Sequence, residues 1–553
     1  MQTLSAILAA RANSERQRTA YAFVSSASDP GVSLSYQQLH DRSLEIAKVV
    51  QSMVASEERA LLLYPAGLRP FVTAFFACLA AEVIAVPLSL PRRRSPIAKI
   101  HSILRNAQPA LVLGLVAYRN SIHDWGLAHL PFLATDDLPE TVVPIAHPPV
   151  HGDQNPDSVA ILQYTSGSTG EPKGVMVSHG NLSHNSACIQ SAFELDMSSV
   201  SISWLPHYHD MGLIDGIIQP LYSGFHGILL APETYSKRPA VWLQLIHRFA
   251  ATHSGAPNSA YEFCSHHIAP EALEGCDLSS WRSAYCGAEP VRAETLATFA
   301  SKFQPFGFQS NALYPCYGMA EATLMISGGK LGQPMTVASL DTPTRPPVSC
   351  GHPWLGTEVL IVDPETLSPC APEQVGEIWT AGPSVARGYW RQEALSRQIF
   401  QANPSTGGST TYLRTGDLGF LRDGQLYITG RLKDLIIVRG RNHHPKDLEA
   451  TLQRSHQALA ANRGAVFARD FDTQDQIVVV QEVKRSHLND FPQEVVFRAM
   501  REAVAHEHGV SVAEIVLIRT SSLPLTSSDK IQRRLCRELY QQGELAIMAI
   551  WVS

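Results

Sequence analysis

Tyr164-Thr-Ser-Gly-Ser-Thr-Gly-Glu-Pro-Lys-Gly174 is the stretch on which both fold and chemistry turn. It gathers three glycines, the hydroxyls of Thr165, Ser166, Ser168 and Thr169, and the cation of Lys173 into eleven residues. Gly167 and Gly170 let the backbone approach an anion, hydroxyl and N–H groups donate to its oxygens, and Lys173 supplies countercharge, a combination suited to a triphosphate. Pro172 stands where a Walker A pattern starting at Gly167 requires glycine, so this is a different phosphate loop. An apolar run, Val159 to Leu162, reads as a buried strand before it. Val175-Met-Val177 reads as a second strand after it, and Ser178-His-Gly-Asn-Leu182 as a helix start. An ordinary Ser/Gly linker is the bland alternative, but linkers are not normally wedged between two strands.

Upstream, Leu34-Ser-Tyr-Gln-Gln-Leu-His40 opens an amphipathic helix through Met53. Ala60 to Tyr64 reads as a strand, Phe71 to Ala81 as a buried helix and Val83 to Pro87 as a strand. Repeated β-α-β order implies an α/β fold: a large N-terminal domain of doubly wound, mostly parallel sheets with helices on both faces. Downstream, Trp204-Leu-Pro-His-Tyr-His-Asp-Met-Gly-Leu213 interrupts an apolar strand and helix with polar groups that are expensive to bury, and these are expected to face a cleft. Ser283-Ala-Tyr-Cys-Gly-Ala-Glu-Pro290 ends a strand in a turn. In Asn311-Ala-Leu-Tyr-Pro-Cys-Tyr-Gly-Met-Ala-Glu-Ala-Thr323, Tyr317 offers a flat ring and Gly318 a close backbone. Glu321 is expected one helical turn beyond Tyr317, as a hard oxygen ligand for Mg²⁺.

From Val348 the texture becomes short strands and turns: Val359 to Val362, Gly376 to Trp379 and Pro383 to Trp390, with a hairpin turned at Asp423-Gly424. This marks a small β-rich subdomain, about 346–431, closing a large domain of 1–431. A small mobile α+β C-terminal domain, 432–553, follows. Lys530 stands in a polar loop as a helix begins at Ile531. A cation there opposes the helix dipole by ~0.3–1 kcal/mol, which argues that something else holds it.

Taken together, these motifs resemble the adenylate-forming superfamily of acyl-CoA synthetases, luciferases and peptide-synthetase adenylation domains, over nearly the whole chain. The branch most similar is the fatty acyl-AMP ligases, through Leu205-Pro-His-Tyr-His-Asp-Met-Gly-Leu-Ile214 and Tyr317-Gly-Met-Ala-Glu-Ala-Thr-Leu324. The resemblance implies that Thr165, Ser166, Gly167, Ser168, Thr169, Gly170 and Lys173 hold ATP phosphates. Gly287, Ala288, Glu289 and Pro290 would pack on one face of adenine, with Tyr317, Gly318, Met319 and Ala320 on the other. Asp417 would accept hydrogen bonds from both ribose hydroxyls, as the two oxygens of a carboxylate can, and Arg431 would reach ribose and phosphate. Glu321 and Thr169 would hold Mg²⁺. His209 would lie near the acyl carboxylate, with His207 and Asp210 equally readable as structural groups. Lys530 would bridge acyl and phosphate oxygens, and Lys433, or else Asp434, would be the hinge. Ile214, Asp215 and Ser259 fall in segments lining the acyl channel of such enzymes. A carboxylate and a hydroxyl there suit a shorter or functionalised acid, unless Asp215 caps a helix or pairs with a basic group.

A net charge of −6, with 45% hydrophobic and 17% charged residues, describes an ordinary globular protein and argues against nucleic-acid or anionic-membrane binding. Pro70 to Pro91 is broken by Glu82 and prolines, so no membrane span is expected. Nine cysteines without a CxxC pair suggest reduced thiols in a cytoplasmic enzyme, and His443-His444 has no third ligand at suitable spacing. No targeting segment is visible, and only about twenty residues follow Lys530, so a stand-alone enzyme is expected. The implied reaction uses ATP and Mg²⁺ to turn a carboxylic acid into an acyl-adenylate. The acyl group then passes to the phosphopantetheine of an acyl carrier protein or peptidyl carrier domain. Free CoA is the competing acceptor, because the connection from Gly329 to Val348 is short for this branch; a non-catalytic nucleotide-binding protein is the competing class.

Overall fold

The computed structural model describes residues 2–91, 97–138, 155–165, 172–338, 346–438, 441–471, 474–488, 492–525 and 531–553. A six-stranded sheet runs Phe132–Ala134, Leu111–Gly114, Arg59–Leu63, Ile84–Leu88, Val159–Thr165, Lys173–Ser178. All its neighbours are parallel except the last pair. A nine-stranded sheet runs His352–Pro353, Met325–Gly328, Leu313–Gly318, Ser283–Cys286, His253–Ala256, Val200–Ser203, His226–Leu230, Thr19–Val24, Val32–Ser35. Its six central strands are parallel and its edges antiparallel. Strands covered on both faces need apolar side chains on both, which is why Leu61, Leu62 and Leu63 are all buried. Side chains of both sheets and of helices Tyr36–Met53, Arg69–Ala80 and His179–Ala192 merge into one core around Phe71, Phe75, Leu182 and Ile217.

Two serines start these helices. Ser35 pairs with Gln38 and Ser178 with Asn181 in reciprocal capping boxes, each cap contributing about 1 kcal/mol. Ser178 is also the last residue of its strand, so the chain passes from sheet to helix without a loop.

A third, antiparallel sheet orders Glu358–Val362, Gly376–Ala381, Leu413–Arg422 and Gln425–Arg431. Its last turn, Asp423-Gly424, has φ of 53° and 73°, the left-handed pair that a tight hairpin demands. The expected strand over Pro383 to Trp390 is instead a loop. Pro383 offers no N–H and Gly388 sits at φ 128°, so no regular ladder forms. The loop still lies along Lys173–Ser178: Met176 exchanges backbone bonds with Arg387 and Gly388, and the Trp390 N–H donates to the Gly174 carbonyl.

A single 3-10 turn, Leu432–Asp434, separates that sheet from the C-terminal part of the chain. Beyond the turn come the hairpin Ile436–Val438 and Arg441–His443, and a sheet of Leu459–Phe471, Gln474–Val483, Val512–Ile518 and Ile547–Val552. Helices Pro445–Arg454, Gln493–His508 and Arg533–Gln542 accompany it, with cores around Phe497 and Ile515 and around Phe467 and Cys536.

A second local expectation is also overturned. Tyr317 and Glu321 do not share a helix: Tyr317 belongs to strand Leu313–Gly318 and Glu321 to the 3-10 turn Ala320–Ala322. The chain reverses within six residues, pairing Gly318 with Met325, and Thr323 takes φ 68° to make the bend. A Cβ on Gly318 would run into the Leu324 carbonyl. Gly318→Ala is therefore expected to lower stability by about 1–3 kcal/mol and displace Glu321, read as a fall in denaturation midpoint. An unchanged midpoint would mean that the bend tolerates a side chain.

Candidate functional site

The site is built where strand ends and turns of all three sheets meet. Thr165 pairs with Lys173, so the two ends of the segment expected to hold phosphate lie side by side. Ser166, Gly167, Ser168, Thr169, Gly170 and, near the other end of the chain, Lys530 lie outside the described residues. The Lys173 ammonium sits 4.9 Å from the centre of the Tyr389 ring, and the Tyr389 hydroxyl donates to Glu321 Oε1 at 2.9 Å. Burial and then the neighbouring Lys433 push the Lys173 pKa down, with Glu321 opposing. Burial raises the Glu321 pKa, and its Tyr389 bond and the Arg431 charge pull against that rise.

A second cluster lies nearby, close enough for the Arg431 charge to act on Glu321. The Tyr317 hydroxyl donates to Asp417 Oδ2 at 2.7 Å and Arg431 Nε to Oδ1 at 2.8 Å. Asp417 is buried, whereas Arg431 is largely exposed. The pair thus presents an anchored carboxylate and a cation at the rim. Met319 donates its N–H to the Leu324 carbonyl, and Ala320 is buried in the turn beside Glu321.

The Gly287-Ala-Glu-Pro290 turn follows strand Ser283–Cys286, and Ala288 holds a left-handed φ of 64°, an unusual conformation for a residue with a Cβ. Glu289 Oε1 accepts the Ser259 N–H at 2.5 Å, and Asn258 Oδ1 accepts the Arg292 N–H at 2.9 Å. A carboxylate at the first turn of helix Asn258–His267 meets its unsatisfied N–H groups, so turn and helix hold each other.

His207 and His209 separate cleanly. His207 is buried and stacked on Phe71 at 3.7 Å, and burial pushes its imidazole down to about 3, so it is neutral at physiological pH. His209 is partly exposed, with its ring 4.9 Å from that of Tyr208, and its carbonyl accepts the Leu213 N–H. Asp210 caps the next helix through the Met211 N–H at 2.8 Å.

That helix, Met211–Ile218, is a π-helix, an irregularity associated with functional sites. Ile214 and Asp215 on it are both buried. The Asp215 carboxylate meets His253 Nε2 at 2.9 Å, and His253 Nδ1 lies 3.1 Å from Ser283 Oγ. Asp215 thus has a basic partner, the alternative open from sequence, and its burial needs no substrate group. Ser259 engages Glu289 through its backbone.

Sequence reasoning missed Tyr389, which links Lys173 to Glu321 from more than two hundred residues beyond Lys173, and His253, which pairs with Asp215. Neither has a local signal, since each acts through a long-range contact. Glu321 is a hard oxygen donor, but among the described residues no group of three or more His, Cys, Asp or Glu is arranged to hold a metal ion. This donor set fits Mg²⁺ arriving with a phosphate chain, not a cation caged by protein alone.

The AMP-binding enzyme family matches residues 8–390. This chain belongs to it. The Disco-interacting protein 2-like AMP domain matches residues 433–550 of this AMP-binding enzyme. The medium-chain-fatty-acid–[acyl-carrier-protein] ligase JamA of Moorena producens is 42% identical, over 98% of this chain and 96% of its own. The long-chain-fatty-acid–AMP ligase FadD23 of Mycobacterium tuberculosis is 35% identical, over 93% and 91%. The fatty acyl-adenylate ligase of L. pneumophila, solved with acyl adenylate and pyrophosphate, superposes with a TM-score of 0.74 at 37% identity, covering 100% of this chain and 98% of that one. A further structure of the fatty acyl-adenylate ligases from E. coli and L. pneumophila gives 0.86 at 31%, covering 98% of each chain. Among the described residues no helix is long and apolar enough to cross a membrane.

Because the folded pKa of Glu321 is raised, its ionised form opposes folding above that pKa, and the penalty vanishes once the group is protonated in both states. Glu321→Gln should raise the ligand-free thermal midpoint at pH 7–8 by roughly 2 °C, with a gain that shrinks as pH falls toward about 4. Thermal scans across that range, with a fall or no change at pH 8, would refute the buried-charge argument.

Proposed function

We propose that the chain activates a carboxylic, fatty acid with ATP and passes the acyl group to the phosphopantetheine thiol of an acyl carrier protein or peptidyl carrier domain, as a ligase of lipid or polyketide/peptide biosynthesis in the cytoplasm. The observation that carries this reading is the nearness of Lys173, Tyr389 and Glu321 to Tyr317, Asp417 and Arg431, whose Arg431 charge acts on Glu321. One group suits a phosphate chain and the other a ribose; Lys173 opens its strand, Tyr317 is the last residue but one of its own, and Arg431 is the last of its own.

In the first step a carboxylate oxygen bonds to the α-phosphorus of ATP and the bond to the β-phosphate oxygen breaks, releasing pyrophosphate. Lys173 and Lys530 offset charge building on the phosphate, and fixed charges aimed there need no reorganisation in the transition state. Asp417 holds the ribose hydroxyls, Tyr317 supports the base, and His209 orients the acid. Mg²⁺, when bound through Glu321 and Thr169, would supply further charge neutralisation. In the second step the thiol sulfur attacks the acyl carbon, the acyl–oxygen bond breaks, AMP leaves and the thiol proton is released. The large part, 1–431, carries the nucleotide, and the part from 432, pivoting at Lys433, exchanges the face it presents between steps. Ile214 and Ser259 stand beside the acyl chain, with Asp215 as a structural support. The shortness of the Gly329 to Val348 connection keeps free CoA as the second acceptor to be tested.

Lys530→Ala should reduce adenylate formation about 10²–10³-fold and affect thiol attack on supplied adenylate far less. Equal losses in both half-reactions, measured by pyrophosphate release and by acyl transfer, would remove Lys530 from the first step. A screen of acids for adenylate formation, with CoA and carrier proteins compared as acceptors, tests the whole reading. It should return a fatty acid accepted and the carrier preferred; no pyrophosphate exchange with any acid would leave a nucleotide-binding protein instead.

A further inference from the structure

Tyr208 stands between His207 and His209, and its carbonyl is held from another sheet. Gln163 Nε2 donates to it at 2.9 Å, from 45 positions away. Gln163 lies in strand Val159–Thr165 of the six-stranded sheet, two residues before Thr165, where the segment expected to hold phosphate begins. The 206–210 loop instead follows Val200–Ser203 of the nine-stranded sheet. One side-chain amide thus ties the strand that runs into the phosphate segment to the backbone beside His209.

The rest of the loop has anchors of its own. His207 stacks on Phe71 at 3.7 Å, the Pro206 carbonyl accepts the His209 N–H at 3.0 Å, and Asp210 accepts the Met211 N–H at 2.8 Å. A Cβ on Gly212 would run into that same Pro206 carbonyl, so the backbone turns back tightly on itself. These contacts shape the loop, and the Gln163 bond adds its position relative to the neighbouring strand. Gln163 is buried, and among the described residues its Oε1 has no hydrogen-bond partner. An apolar side chain would fill that place without stranding an acceptor. A buried amide kept there with half its capacity unused points to what its donor does. We propose that Gln163 is a positioning residue for adenylate formation, holding His209 in register with the phosphate segment through the Tyr208 carbonyl.

The proposal rests on the adenylate reading above, which gives His209 the acid and the 165–173 segment the phosphate chain, and it adds what sets one against the other. Without the bond the Tyr208 peptide can tilt and His209 turns with it, while Thr165 and Lys173 stay paired across their strands. The loss therefore falls on the acid and spares the nucleotide.

The test is steady-state pyrophosphate exchange by the full-length protein, with acid and ATP varied separately. Gln163→Met, which keeps the length and removes the donor, should lower kcat/KM for the acid about tenfold and leave the KM for ATP within about twofold. In a His209→Ala background the same change should cost far less, because residues acting through one another are not additive. Gln163→Glu sets an acceptor against an acceptor at about pH 8 and regains a donor as it protonates, so its activity relative to wild type should climb as the pH falls toward about 6. That same-sized variant keeps the test open if the Met variant does not fold, and a ratio indifferent to pH would overturn the proposal. So would equal losses toward acid and ATP, or full additivity with His209→Ala, each with wild-type exchange intact. Absence of exchange in wild type with any acid would overturn the adenylate reading and this one with it.

Discussion

Two hydrogen bonds to Asp417, from Tyr317 at 2.7 Å and Arg431 at 2.8 Å, tie the assembly together. Tyr317 comes from the nine-stranded sheet, and Asp417 and Arg431 from neighbouring strands of the antiparallel sheet, where they are register partners. Arg431 is the last residue before the turn leading to the C-terminal part. One buried carboxylate thus sets the relation of two sheets and anchors the point from which the rest of the chain departs. Without those donors Asp417 would be an unpaired buried charge, among the costliest defects a fold can hold.

The neighbouring cluster holds groups against their own preference. Lys173 is pushed toward losing its proton and Glu321 toward gaining one, both mainly by burial. Burial thus weighs against the charged form of each, and under the proposed function a phosphate chain would meet the Lys173 cation. Tyr389 spans the two, its ring facing the cation and its hydroxyl the carboxylate. Such tension is a familiar trade of stability for function.

Among the described residues the C-terminal part meets the rest of the chain through polar groups and shares no apolar core with it. Its cores around Phe497 and Phe467 are its own, and among the described residues it approaches through His444 at Gly430 and Asn462 at Glu262. Polar contacts of this kind are individually weak and can be exchanged, which suits an element proposed to present different faces in successive steps.

Sequence by itself determined the α/β class, the alternation of buried strands and helices, the capped helix after Ser178 and the Asp423-Gly424 hairpin. These follow from periodicity and from residues with few backbone options, which are local properties. It also put Asp417 and Arg431 forward as a ribose site through resemblance, a role that belongs to the proposed function; their mutual bond came from the structure. Only the tertiary structure decided that Tyr317 and Glu321 lie on a strand and a tight turn, because Gly318 must pass under the Leu324 carbonyl. It alone paired Asp215 with His253, 38 positions apart, and set Tyr389 between Lys173 and Glu321. Such pairings depend on which strands become neighbours, and strand order in a parallel sheet is fixed by long-range packing that no local pattern records.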